Sequence, residues 1–114
     1  MGCHIQEDKM NIVVTIPKSK LSEVEKEEEE VAIQIANGEK NIFYYWTVGT
    51  LPKQCPSRIY FIWNGAVRAY HEVTQTVTDF PRNKIYMKPE IHNLKTPIPM
   101  KGFQGWRYFR EDVE

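Results

Sequence analysis

Several features that would assign a chain to a large class of proteins are scarce or absent in this sequence. It has only two cysteines, Cys3 and Cys55, and they lack the Cys-x-x-Cys spacing of structural zinc sites. The apolar runs are far shorter than the ~20 residues of a membrane-spanning helix. The first eight residues (MGCHIQED) are polar and acidic, unlike a secretory signal. We therefore expect a cytoplasmic protein with reduced cysteines, no metal and no cofactor.

An excess of charge of one sign is also missing, because fifteen basic and fifteen acidic residues give a formal net charge of zero. The distribution is nevertheless uneven. Residues 22–30 (SEVEKEEEE) hold six of the acids and only one base, so the remainder of the chain is mildly basic. This pattern predicts either a basic body that attracts a polyanion or simply two solvated surfaces of opposite sign.

The length of 114 residues fits one domain, which we expect at residues 11–110, between tails at 1–10 and 111–114. Pro97 and Pro99 are expected to break any strand near them. Runs rich in β-branched and aromatic residues predict six strands, at residues 11–16, 42–48, 58–63, 66–74, 84–88 and 106–109. Short strands with one helical segment predict an α+β domain, a small β-barrel with one or two flanking helices.

The helical segment is predicted between the first two strands. Ser19 or Ser22 can cap its start, Ser22 in a capping box with Glu25, and Gly38 is suited to the position just after its end. Apolar side chains share one face of this segment, but Glu28 lies where the apolar stripe should continue. One long helix and two short helices both fit the pattern, and the glutamates predict a solvated face.

The dipeptide Asn64-Gly65 predicts a tight hairpin, because a type I′ turn needs positive φ at both central residues. A regular register places Trp63 and Arg68 on one face of this hairpin. An arginine among rings predicts either a guanidinium that holds a phosphate or one that packs over core aromatics. The expected cross-strand pairs are Trp63 with Ala66, Ile62 with Val67, Phe61 with Arg68, Tyr60 with Ala69, Ile59 with Tyr70 and Arg58 with His71.

Residues 95–110 (KTPIPMKGFQGWRYFR) alternate cations and rings. Gly102 and Gly105 would let the backbone approach a ligand closely. Single-stranded or flipped bases are held by stacked rings, with cations on the backbone, and the segment suits that chemistry. The alternative is that its rings belong to the core. The candidate contact residues here are Lys101, Trp106 and Arg107.

The chain continues from Gly38-x-Lys40 through an aromatic strand and the loop at Pro52-Lys53 to the run RIYF…GAVRAYHEV. This stretch resembles the PUA-like superfamily, and within it the ASCH domains. The resemblance implies a β-barrel with a cleft between helix and barrel that receives RNA or a nucleobase. Phe43 and Tyr45 replace the glutamate and arginine of the ASCH signature. The related EVE domains read modified bases through aromatic pockets, and the rings available here are Tyr44, Tyr45, Trp46, Trp63 and Trp106.

We expect a non-catalytic module that binds RNA, single-stranded nucleic acid or a modified nucleoside. Lys40 would contact phosphate, a tryptophan would stack on a base, and arginines would bind phosphate or a base edge. The expected binding residues are Lys40, Tyr45, Trp46, Trp63, Arg68, Lys101, Trp106 and Arg107.

Two alternatives stay open. One is a small amidohydrolase acting on a modified nucleoside, as the resemblance implies for some ASCH proteins, with Lys40 and Glu72 as catalytic residues. Phe43 replaces the threonine of the Lys-x-x-Thr motif that such enzymes use, which favours a protein without catalysis. The other alternative is a protein-interaction module that uses the acidic helix.

Overall fold

The computed structural model describes residues 10–39, 42, 44–79 and 81–109, so most of both expected tails lies outside the described residues. The described part contains one helix and seven strands. In chain order they are β1 (Asn11–Thr15), α1 (Lys18–Ala36), β2 (Tyr44–Val48), β3 (Arg58–Trp63), β4 (Ala66–Val77), β5 (Asn83–Met87), β6 (His92–Pro99) and β7 (Trp106–Phe109).

The seven strands form one mixed sheet with the order β2-β5-β4-β3-β1-β7, and β6 also pairs with β4. Of the strand pairs formed by described residues, β1 with β3 is parallel and the others are antiparallel. Among the described residues β2 and β7 do not pair with each other, so the sheet stays open. The predicted α+β class is confirmed, but the predicted barrel is wrong. The twelve-residue β4 pairs with β3 and β6 along its first part and with β5 along its last part, so it joins the two regions of the sheet without closing them.

Strand β6 was not predicted, because Pro97 and Pro99 lie within it. It pairs with β4 on one side only, in the described part of the chain. A proline cannot donate a ladder hydrogen bond, but on an edge strand its missing N–H can face away from the neighbouring strand. The two prolines therefore mark a sheet edge here rather than a break.

Helix α1 is a single helix of 19 residues. Pro17 is its N-cap, without a side-chain hydrogen bond, and Ser22 lies inside the helix, so the predicted capping box is wrong. Gly38 follows the end with φ +73°, and its N–H donates to the carbonyl of Ile35 at 3.0 Å, as predicted. In the described ranges no helix is both long and apolar enough to span a membrane.

The sheet separates two groups of buried side chains, because alternate residues of each strand face opposite sides. On the side of α1, Leu21 and Val24 pack against a core that includes Ile12, Val14, Ile59, Phe61, Ile85 and Met87. On the other side lie Val13, Tyr60, Ile62, Val67, Tyr70, Leu94 and Phe109.

The loop residue Cys55 is disulfide-bonded, which differs from the expectation of reduced cysteines.

The predicted hairpin is present, with φ of 52° at Asn64 and 74° at Gly65. Its first two predicted pairs, Trp63 with Ala66 and Ile62 with Val67, are confirmed. Beyond them the register shifts by one residue, so the other four predicted pairs are wrong. The observed pairs are Phe61 with Ala69, Tyr60 with Tyr70, Ile59 with His71 and Arg58 with Glu72.

The shift is a β-bulge in which Arg68 is the extra residue of β4. Its guanidinium turns back to the hairpin, where Nε donates to the carbonyl of Trp63 at 2.7 Å and Nη2 to the carbonyl of Asn64 at 2.9 Å. A shift of one residue moves every later side chain of a strand to the opposite face. His71 therefore joins Ile59 and Phe61 on the side of α1.

We expect Arg68→Ala to lower the free energy of unfolding by about 1–3 kcal/mol, because two charge-assisted hydrogen bonds to the turn carbonyls are lost. Urea denaturation measures the change. The matched control is Arg82→Ala, which removes an exposed arginine from the loop before β5. Equal stability of Arg68→Ala and the wild type would show that these bonds do not hold the bulge.

Candidate functional site

A cleft of about 320 Å³ lies between α1 and the sheet. Its position matches the cleft that the resemblance implied, although the sheet beside it is open. Aromatic side chains form much of the wall, and they are Tyr44, Tyr45, Trp46, Phe61 and Trp63. The helix contributes Glu25, Glu27, Glu28 and Glu29. The cleft therefore combines ring faces with carboxylates.

The rings belong to β2 and β3, which β5 and β4 separate in the sheet. Tyr44 and Trp46 alternate with exposed residues along β2, so both point toward the helix side of the sheet. The ring of Trp46 meets Phe61 of β3 edge-on, with 5.3 Å between ring centroids. Trp63, the last residue of β3, lies at the same cleft. Of the predicted binding residues, the cleft brings together Tyr45, Trp46 and Trp63.

The predicted residues of the C-terminal segment lie elsewhere. The indole N–H of Trp106 donates to the carbonyl of Thr50 at 2.7 Å, and the guanidinium of Arg107 lies over the ring of Phe103 at 4.2 Å. Lys101 is exposed. None of the three lines the cleft. The predicted groove is thus divided, and a ligand contact by these residues stays a prediction.

Arg68 and Gly102, two further positions of the predicted groove, contact other parts of the protein. Arg68 binds the hairpin carbonyls described above, and it does not line the cleft. A Cβ on Gly102 would lie 2.8 Å from Cγ2 of Thr15, and the N–H of Phe103 donates to Oγ1 of Thr15 at 3.0 Å. The close backbone approach expected at Gly102 is therefore made to Thr15 of β1.

Of the predicted catalytic pair, Lys40 and Glu72, only Glu72 belongs to the described residues, and Lys40 lies outside them. Glu72 faces the Nζ of Lys88 at 3.6 Å, and its side chain does not line the cleft. The described residues also contain no group of three or more His, Cys, Asp or Glu that could hold a metal ion.

The structure instead brings Glu28 together with two residues that the sequence did not connect to it. His71 is completely buried, and its Nε2 lies 2.9 Å from Oε1 of Glu28. The hydroxyl of Tyr44 donates to the same oxygen at 2.5 Å. The other ring nitrogen of His71, Nδ1, lies 2.8 Å from the carbonyl of Lys88. Helix α1, β2 and β4 thus meet at one carboxylate.

The position of hydrogen atoms in this network follows from the groups involved. The carbonyl of Lys88 can only accept, so Nδ1 of His71 carries a hydrogen. A hydrogen bond between Nε2 and Glu28 then needs one more proton, carried by the imidazole or by the carboxyl group. His71 does not line the cleft, but it hydrogen-bonds to Glu28, which does.

The second carboxylate oxygen of Glu28 has no such partner. Oε2 exposes less than 1 Å² and makes no hydrogen bond with a described residue. A buried acceptor without a donor is costly, and such atoms in native proteins call for an explanation. The one clue in the sequence was the interruption of the apolar stripe at Glu28, because a carboxylate facing the core needs a buried partner.

We expect Glu28→Ala to lower the free energy of unfolding by about 1–3 kcal/mol, because His71 and Tyr44 would keep buried polar atoms without a partner. Chemical denaturation near neutral pH measures the loss. Glu30→Ala is the matched control, since this exposed glutamate of the same helix should change stability by less than about 0.5 kcal/mol. Equal effects of the two substitutions would contradict a structural role for the network.

The stability of the protein should also depend on Tyr44 at alkaline pH. Burial raises the pKa of Tyr44 well above its ordinary value of 10.0, and the hydrogen bond to Glu28 and the charges of Glu28 and Glu27 act in the same direction. Above about pH 10 the unfolded chain loses this proton while the folded protein keeps it, so stability falls as pH rises.

The stability of wild type should therefore decline more steeply between about pH 9 and pH 11 than that of Tyr44→Phe. Urea denaturation at several pH values tests this. Tyr45→Phe, which changes an exposed neighbour on the same strand, should decline like wild type. Parallel curves for wild type and Tyr44→Phe would contradict the expectation.

The chain matches the family model DUF1489, described as a protein of unknown function, over residues 19–113. This stretch includes all of α1 except Lys18, the hairpin and every aromatic residue of the cleft. No curated protein and no solved structure matches the chain. Because the family model covers most of the sequence, the chain belongs to the DUF1489 family.

Proposed function

We propose that the chain is a non-catalytic binding module that receives a nucleobase in the cleft between α1 and the sheet. The observation that carries this proposal is the convergence of the rings of Tyr44, Trp46, Phe61 and Trp63 on one cleft of about 320 Å³. That volume is at the lower end of the range of ~300–1,000 Å³ that small-molecule sites occupy. Flat apolar walls suit a flat ligand, and stacking on aromatic side chains accepts any base.

The base can belong to RNA, to another single-stranded nucleic acid or to a free modified nucleoside. The likeness to ASCH and EVE domains supports the proposal only through the helix and the aromatic strands that flank the cleft. The open sheet gives no support to the barrel of those domains. A phosphate contact by Lys40 stays part of the proposal.

A second candidate is a hydrolase of modified nucleosides that uses Glu28, which lines the cleft, in place of Glu72, which does not. Glu28 lines the cleft, while His71 and Tyr44 hold its carboxylate from the protein side. A general base must reach the proton that it removes, so this activity requires that Oε2 of Glu28, which exposes less than 1 Å², becomes accessible to the substrate. Release of product during the binding experiment would identify this activity.

Binding can be measured through the intrinsic fluorescence of the protein, because two of its three tryptophans line the cleft. We expect a panel of natural and methylated nucleosides to quench this fluorescence saturably. Trp63→Ala should weaken binding by roughly tenfold, since one stacking ring contributes about 1–3 kcal/mol per base. Binding of Trp63→Ala should be measured well below its melting temperature.

The matched control is Trp106→Ala, which removes a tryptophan outside the cleft. It should lower the melting temperature but leave the affinity of the folded protein unchanged. If no nucleoside binds at millimolar concentration, or if Trp106→Ala weakens binding as much as Trp63→Ala, the proposed cleft is wrong.

A further inference from the structure

The charge of the cleft differs from that of a site for phosphate. Glu25, Glu27, Glu28 and Glu29 line it, and the described lining residues include no lysine or arginine. The predicted cations Arg68, Lys101 and Arg107 all lie outside it. A cleft lined by charges of one sign raises the local concentration of the opposite sign. This cleft therefore repels a phosphate group and attracts a cation.

The rings act in the same direction as the carboxylates. The face of an aromatic ring carries negative potential, and the indole of tryptophan attracts cations most strongly. Trp46 and Trp63 both line the cleft, together with Tyr44, Tyr45 and Phe61. A flat ligand that stacks on these rings gains more when it carries a positive charge.

The network around Glu28 adds a directional requirement. Oε1 already accepts from Tyr44 and bonds to His71, whereas the buried Oε2 has no donor among the described residues. Glu28 lines the cleft, but Oε2 itself exposes less than 1 Å², so a ligand group bonds to it only when the side chains that cover it move. An N–H group on the ligand would satisfy this oxygen, and a quaternary ammonium without N–H would not.

We infer that the occupant of this cleft is a positively charged nucleobase with N–H donors on one edge. The inference rests on the proposed function and names the chemical class of its ligand. Methylation of a ring nitrogen turns a neutral purine into such a cation with little change in shape. 1-Methyladenosine and 7-methylguanosine at slightly acidic pH are therefore the probes, with adenosine and guanosine as their neutral counterparts.

The test compares each methylated nucleoside with its neutral counterpart by fluorescence titration at about pH 6 and about 50 mM salt, where surface charges are weakly screened. We expect each cation to bind at least roughly tenfold more tightly. Equal binding, or tighter binding of the neutral nucleosides, would overturn this inference and leave the proposed function intact. Binding of neither kind would overturn both.

Three variants test which carboxylates cause the preference for the cationic nucleoside. Glu28→Gln should reduce the ratio between cation and neutral nucleoside to near one while the neutral nucleoside still binds. The double variant Glu25→Gln/Glu29→Gln lowers the charge without altering the bonds to His71 and Tyr44, so it should reduce the ratio even if Glu28→Gln folds poorly. Glu30→Gln, outside the cleft, should keep the full ratio, and an equal loss in this control would contradict the inference.

A final comparison distinguishes a free nucleoside from a base in a strand. A single-stranded tetranucleotide with one internal 1-methyladenine is titrated beside the nucleoside itself. If the oligonucleotide binds more tightly than the nucleoside, the ligand is a base within a strand, and the phosphates of that strand lie outside the acidic cleft. If the oligonucleotide binds more weakly, the ligand is a free nucleoside. In both cases the unmethylated oligonucleotide must bind less tightly than the methylated one, or the inference fails.

Discussion

The organisation of the cleft depends on one extra residue in β4. Arg68 bulges out of the ladder with β3, and its guanidinium holds the carbonyls of the hairpin turn. The bulge moves every later residue of that strand to the opposite face. His71 thereby faces the helix instead of the far side of the sheet. Without this shift, Glu28 would meet no imidazole, and the carboxylate would have only Tyr44 as a partner.

The meeting of Glu28, His71 and Tyr44 ties three elements together. Burying a carboxylate and an imidazole costs free energy unless they are hydrogen-bonded and paired. The network satisfies both nitrogens of His71 and one oxygen of Glu28, and no described residue donates to the other oxygen. A fully satisfied network would only hold the helix against the sheet. The unsatisfied oxygen, beside a cleft lined by rings, is what makes this network a candidate site.

The structure places the basic residues of the predicted groove outside the cleft and the acidic residues of α1 along it. The rings and cations near residues 101–107 resemble a nucleic-acid surface, yet Arg107 packs on Phe103 and Trp106 bonds to Thr50. The glutamates, expected to form a solvated face, partly line the cleft instead. This distribution of charge is the basis of our proposal that the cleft binds a cationic base rather than a phosphate backbone.

The sequence by itself determined the α+β class, the helix end at Gly38, the Asn64-Gly65 turn and the approximate ranges of six strands, because these depend on local backbone preferences and on periodicity. It also indicated the rings of the cleft, since aromatic residues were concentrated in β2 and β3. The predicted capping box at Ser22 is wrong because the N-cap is Pro17, five residues earlier. Strand β6 was not predicted because its prolines suggested a break, whereas an edge strand tolerates proline. Only the tertiary structure decided the bulge at Arg68, the pairing of His71 with Glu28 and the open sheet. The pairing of His71 with Glu28 and the open sheet depend on contacts between residues distant in the chain, which no local pattern encodes. Arg68 bonds to residues only four and five positions away, but no residue pattern marks it as the extra residue of β4.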